Sequence, residues 1–274
     1  MGFFGNAKET YIYLNGIRPK EKVCLGDGLF LVASSCNPEP NEIFKKCKNE
    51  IEIGISCIFL RSISSHFHIF ADTPKQVAAK AWNAQWDAIL LSALFGGEIG
   101  WNFQSDVPPE NFSDAKDFHI TNYALKGFGP GAIKTLTVKE HRWIETHYAN
   151  AKSLMADDMF RSAVHSLFSY KWHSMPRAQL ALLWSGIEGL FGVDHELSFR
   201  LSLYLAKYLS VKKTKQKEIF EDVKKLYSIR SKAVHGGNIK NPNESVEKSV
   251  TILRRLVIKC AERGELPNCT DLAP

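Results

Sequence analysis

The chain is predicted to fold as an α+β N-terminal domain followed by an all-α helical bundle, with the boundary near residue 138. Three observations carry that division. Residues up to about 124 mix short β-rich stretches with one long helix, whereas from Thr137 onward almost every segment carries apolar residues at helical spacing. The charge changes at the same place. Residues 1–138 hold 13 Lys and Arg against 14 Asp and Glu, a net −1, while residues 139–274 hold 22 against 15, a net +7. The whole positive excess therefore sits in the helical half, a sign that suits a surface meeting phosphates and equally an ordinary solvated helix face.

Taken in order, Thr10 to Ile17 and Lys22 to Ser34 are rich in β-branched and aromatic residues, and Gly26-Asp27-Gly28 marks a turn or bulge inside the second stretch. Ile51 to Phe70 reads as further strand, either two strands or one long bent one. A helix follows: Thr73 is the N-cap, Pro74 takes the first helical position, and Gly96-Gly97 is the stop. Trp82 and Trp86, one turn apart on it, are expected in the core. Trp101 to Ala124 reads as short strands and loops, and Gly127-Phe128-Gly129-Pro130-Gly131 is the best linker candidate.

The second half opens with a helix from about Val138 to Leu154. Another starts at the Asp157-Asp158 cap, and a third opens at Pro176 and ends at Gly192. A fourth covers about Glu196 to Leu209. The fifth is capped by Thr214 and stopped by Gly236-Gly237, and the sixth runs from about Val246 to Cys260 after an Asn243 or Ser245 cap. Apolar stripes joined by short loops predict an antiparallel bundle.

With 274 residues, 45% hydrophobic and 23% charged, the chain has a globular composition that excludes a disordered or collagen-like class. The longest apolar run, Ala88 to Phe95, is far below the roughly 20 residues of a membrane span. The N-terminus lacks a secretory pattern, and Asn6 stands where a myristoylation signal has Ser or Thr. Six scattered cysteines without a Cys-x-x-Cys pair point away from zinc ribbons and redox dithiols and toward reduced thiols, so a cytoplasmic location is expected.

Arg230 and His235 are the leading candidates for chemistry. A guanidinium offers a fixed charge with planar donors suited to phosphate, and histidine moves protons near neutral pH. Five residues place them about 140° apart on an ideal helix, so they can share a site only if the helix loosens at His235, which the double glycine allows. Spacing alone is weak. With 10 Arg and 9 His, chance yields about one Arg followed by His after four to six residues, and the chain holds four: Arg61 with His66, Arg61 with His68, Arg142 with His147, and Arg230 with His235.

Context separates them. The run LYSIRSKAVHGG (Leu226 to Gly237), preceded by LALLWSGIEGLFG (Leu180 to Gly192) and ELSFRLSLYLAKYLS (Glu196 to Ser210), resembles the HEPN domains of the Apea-like type over residues 139–274. The resemblance implies a HEPN helical bundle that dimerises with its two motifs near a shared cleft. It further implies a metal-independent endoribonuclease in anti-phage defence, a toxin pair or a stress response. Arg230 and His235 then become catalytic, with Ser231 and Glu188 as supporting residues. No cofactor is implied. The partners would be RNA, a second copy, and an antitoxin or trigger at the N-terminal domain, with no membrane.

Glu188 sits on an otherwise apolar helix, where a carboxylate is costly unless paired; an ion pair with an arginine, Arg230 being one candidate, is expected to orient the site, with a direct part in proton transfer as the alternative. Lys224, Lys225 and Lys232 are weaker candidates for RNA contact, in a region that also holds Lys212, Lys213, Lys215 and Lys217. His66 and His68 share a strand face as a potential metal pair without an evident third ligand, and Arg142 and His147 read as surface. Two other readings remain open: a non-catalytic nucleotide- or partner-binding module, and a helical dimerisation protein.

Overall fold

The computed structural model describes Gly5 and residues 7–121, 132–193 and 195–272. It divides into two compact units, Met1–Ala149 and Asn150–Pro274. The first is a mixed β/α domain and the second an all-α bundle. The Gly127–Gly131 linker candidate lies outside the described residues.

In chain order the first unit contains β1 (Glu9–Asn15), β2 (Ile17–Arg18), β3 (Val23–Gly26), β4 (Leu29–Ala33), α1 (Pro40–Lys46), α2 (Glu50–Phe59), β5 (Ile63–Phe70), α3 (Pro74–Phe95), β6 (Gly100–Ser105), β7 (Phe118–Ile120) and β8 (Lys134–Thr135). Six strands form one sheet in the order β3-β4-β5-β1-β6-β7. Every pairing in it is antiparallel. Between β3 and β4, Gly28 adopts φ +66° and its backbone lies so close to the Phe70 carbonyl that a Cβ would collide with it, which explains the glycine in this turn.

The long helix α3 starts and stops where the sequence signals it. Thr73 Oγ1 accepts from the Gln76 N–H at 3.3 Å, Pro74 occupies the first turn, and Gly96 ends the helix at φ +79°. It packs on β1, β5 and β6. On the opposite face, Tyr13 and Phe103, cross-strand partners, join Ile43, Ile55 and Phe59 of α1 and α2 in one apolar cluster.

Two expectations fail here. The stretch from Ile51 is not strand up to Ile63: α2 occupies Glu50–Phe59, capped by Asn49, whose side chain accepts from the Glu52 N–H at 3.0 Å. Ile51, Ile53 and Ile55 alternate as in a strand, yet the positions that become buried are Glu52, Ile55, Ser56 and Phe59, a helical spacing. Trp82 and Trp86 are also misplaced by the core reading, being 51% and 37% exposed. In the first half of α3 the buried positions are Val77, Ala81 and Ala84, one helical face that Trp82 and Trp86 do not share, and from Asp87 to Leu94 every position is buried.

His66 on β5 lies between Val32 and Tyr13 and is buried, with Nδ1 lacking a hydrogen-bond partner among the described residues. Burial lowers its pKa to about 4; His68 and Lys22 add to the effect and Glu110 opposes it. A group with a depressed folded pKa contributes stability that is complete above its ordinary value of 6.5 and is lost as pH falls through 4. The expected loss is on the order of 3 kcal/mol across that window. Urea melts at pH 7 and pH 4 should show it, and His66→Phe should flatten the pH dependence; an unchanged slope would contradict the assignment.

The helices are α4 (Val138–Leu154), which crosses from the first unit into the second, then α5 (Asp158–Ser169), α6 (Pro176–Phe191), α7 (Leu197–Leu209), α8 (Lys213–Val234), α9 (Pro242–Arg263) and a short α10 (Cys269–Leu272). In the second unit α6 is the central helix and packs against α5, α8 and α9. Leu180, Leu183, Trp184 and Ile187 supply its fully buried face. At Gly186 a Cβ would press at 3.2 Å on Ala163, Ser166 and Leu253 at once, so the glycine permits close approach of α5 and α9. Helix α9 is longer than expected because Asn241, in a left-handed conformation, and Pro242 start it, and Gly264 at φ +72° ends it.

Candidate functional site

The sequence builds the site from two helices. Helix α8 ends in a Schellman turn: His235 is the C-cap with φ −89° and ψ 16°, Gly236 takes φ +80°, and the Gly237 N–H donates to the Lys232 carbonyl at 2.8 Å. The helix thus loosens at His235. Its ring is exposed and has no hydrogen-bond partner among the described residues.

Arg230 lies one turn earlier and points at α6. Its Nη2 donates to Glu188 Oε2 at 3.1 Å and stands 3.0 Å from Oε1, so one nitrogen straddles both carboxylate oxygens. This is not the parallel two-bond fork that a guanidinium can make. Arg230 Nε and Glu188 Oε1 are buried without a hydrogen bond among the described residues. The guanidinium also sits 5.7 Å from the Tyr227 ring centroid, and Tyr227 meets the buried Trp184 edge-to-face at 5.4 Å. Trp184 is fixed in turn by its indole N–H, which donates to Ser249 Oγ at 3.1 Å.

Burial raises the pKa of Glu188, and the opposing pull of Arg230 does not overcome it. Tyr227 is likewise raised by burial, with Glu188 adding to the effect. A carboxyl whose folded pKa stands above its ordinary 4.5 stabilises the fold fully only below that value, and loses the contribution as pH rises through the raised one. At neutral pH the ionised carboxylate is therefore a cost that its partner only partly offsets. Glu188→Gln is expected to be neutral or stabilising by up to about 1 kcal/mol at pH 7, and Glu188→Ala to destabilise by about 1–3 kcal/mol through the guanidinium it strands. Urea melts of the two variants compare them directly; a large loss in Glu188→Gln would reverse this reading of the pair.

Of the expected site residues, the structure brings Arg230 and Glu188 together and places His235 beyond them, at the end of the same helix as Arg230. Ser231 is half-buried; its carbonyl accepts from the His235 N–H at 3.1 Å, but its side chain bonds to neither Arg230 nor His235. Lys224, Lys225 and Lys232 are exposed on α8, with Lys224 5.8 Å from the Phe220 ring centroid. Elsewhere, Arg142 is exposed and His147 half-buried beside Trp143. His68 bonds Glu9 at 2.8 Å and stacks on Tyr11, and no group of three or more His, Cys, Asp or Glu among the described residues is placed to hold a metal ion. All six cysteines are free thiols.

Sequence reasoning missed Arg177. Its Nη1 donates to the Ala233 carbonyl at 3.3 Å and its Nη2 to the Gly237 carbonyl at 2.9 Å, bracketing the turn that carries His235. A signal was present: an arginine in the first turn of α6, which holds no acidic residue, opposes the helix dipole. Its charge is better placed at the C-terminal end of α8, where the structure puts it.

No protein-family model matches the chain, and neither the curated proteins nor the solved structures give a match.

Proposed function

We propose that the helical unit is an endoribonuclease of the HEPN type. In this reading Arg230 binds the scissile phosphate and stabilises the charge that develops on it. His235 takes the proton from a ribose 2′-hydroxyl; the freed oxygen attacks the adjacent phosphorus, and the bond from phosphorus to the 5′-oxygen breaks. The products are a 2′,3′-cyclic phosphate and a 5′-hydroxyl. The leaving 5′-oxygen takes its proton from water, which balances the step; in this reading the helical unit acts as a two-fold dimer with its two motifs near a shared cleft. The positive charge stabilising the phosphate comes from a side chain, so the step requires no metal ion. Glu188 orients Arg230, and Lys224, Lys225 and Lys232 attract RNA. An RNase of this kind fits a defence or toxin role, with the N-terminal domain binding a trigger or an antitoxin.

The observation that carries the reading is the state of the two side chains: Arg230 is held by Glu188 with its side chain still 20% exposed, and His235 is exposed at the loosened end of the same helix. A second reading, a nucleotide- or partner-binding module without turnover, draws support from the same ion pair, because a carboxylate 3.0 Å from the guanidinium competes with phosphate. Incubating the full chain with total RNA in EDTA and mapping the ends of any fragments separates the two. Fragments ending in 2′,3′-cyclic phosphate support the nuclease. Arg230-dependent nucleotide binding with intact RNA supports the binding module.

A further inference from the structure

Helix α6 presents Arg177, Trp184 and Glu188 on one face, since steps of seven and eleven residues return a helix to within about 20° of its starting direction. Each of the three engages α8. Glu188 holds Arg230, Trp184 packs on Tyr227, and Arg177 takes the end of the helix. The last carbonyls of a helix lack intrahelical donors. At the end of α8 they are accounted for by different groups: Ser231 accepts from the His235 N–H, Lys232 from the Gly237 N–H, and Ala233 from Arg177 Nη1. Arg177 Nη2 then reaches past the turn to Gly237, so one planar group spans both sides of His235.

The geometry assigns Arg177 as a positioning residue for His235. The Schellman turn fixes the backbone from within α8, and the guanidinium fixes the same turn from α6. The exposed imidazole makes no bond of its own among the described residues, so its location is set by its backbone alone. A fork-shaped donor is needed for this task because two carbonyls on opposite sides of one residue must be reached at once. Arg177 does not meet the phosphate in this assignment; its two Nη groups are committed to carbonyls. The catalytic consequence rests on the nuclease reading given above, whereas the brace itself does not.

The test uses the full chain with Arg177→Ala and Arg177→Lys. Lysine keeps the charge but offers no planar fork, so it separates loss of charge from loss of shape. Amide hydrogen exchange at His235 and Gly237 should quicken by about tenfold or more in Arg177→Ala and by less in Arg177→Lys, while core amides of α6 keep their protection. RNA cleavage should fall by about 10- to 100-fold in Arg177→Ala through kcat, with KM for RNA changed by less than about threefold. Unchanged exchange at Gly237 would overturn the brace. A loss confined to KM would assign Arg177 to RNA contact instead. If the wild-type protein neither cuts RNA nor arrests growth in a His235-dependent way, the nuclease reading fails, and the exchange measurement still decides the brace.

Discussion

Replacing His235 by alanine is expected to lower RNA cleavage by about 10²–10⁴-fold, the range for losing a group that transfers a proton in the transition state. Stability should change little. The imidazole is exposed and unpaired among the described residues, and a surface substitution of that kind costs within about 0.5 kcal/mol. Loss of activity in a protein that melts like wild type therefore cannot be attributed to unfolding. Arg230→Ala makes the contrast. It removes the phosphate contact but also leaves Glu188, half-buried with a raised pKa, without its partner, so rate and stability fall together. In the double variant the rate losses should not add, because two residues acting on one step lose most of their joint effect when either is removed. Cleavage of total RNA in EDTA and growth arrest on expression both report the outcome. Equal cleavage by wild type and His235→Ala would remove His235 from the mechanism.

How legible the molecule is in its sequence follows from which interactions are local. The bounds of α3, the Asp157 cap of α5 and the Pro176 and Gly192 limits of α6 come from caps, proline and glycine, whose signals lie within a few residues of their effects. The misreading of α2 has the opposite origin. Three isoleucines at alternate positions carry a strand pattern that outweighs the local Asn49 cap, and the packing of Ile55 and Phe59 into the sheet cluster shows which period the chain uses. The tryptophans of α3 fail for a related reason: residue type suggests burial, but Val77, Ala81 and Ala84 take the buried face in that part of the helix. In the site, the cost of an unpaired carboxylate on an apolar helix is a local argument that calls for an arginine near Glu188, and the fold supplies Arg230 from 42 residues away. Arg177 needed a third step. Its position in the wrong half of a helix dipole is visible in sequence, but the carbonyls that use it are 56 and 60 residues away.

Trp184→Ala is expected to give the largest loss of stability in the helical unit, about 3–5 kcal/mol, the cost of deleting a fully buried aromatic side chain and leaving a cavity. Trp184 is 0% exposed, and the helices around it are already in close contact at Gly186, which restricts how far the site can collapse to fill the space. Ser249 loses the indole donor but keeps its own bond to the Ser245 carbonyl at 2.8 Å, so no hydroxyl is stranded and the penalty is mainly one of volume. Trp184→Phe should accordingly cost less, about 1–2 kcal/mol, because most of the ring volume remains. Denaturant melts of the full chain measure both, read on the transition of the helical unit. The consequence extends to the site, since Trp184 supports the Tyr227 ring over which Arg230 lies. In Trp184→Phe, a fold that is intact but a guanidinium that is less well held should lower cleavage more than RNA binding. Equal losses in both, or in neither, would mean that the aromatic stack stabilises the bundle without orienting Arg230.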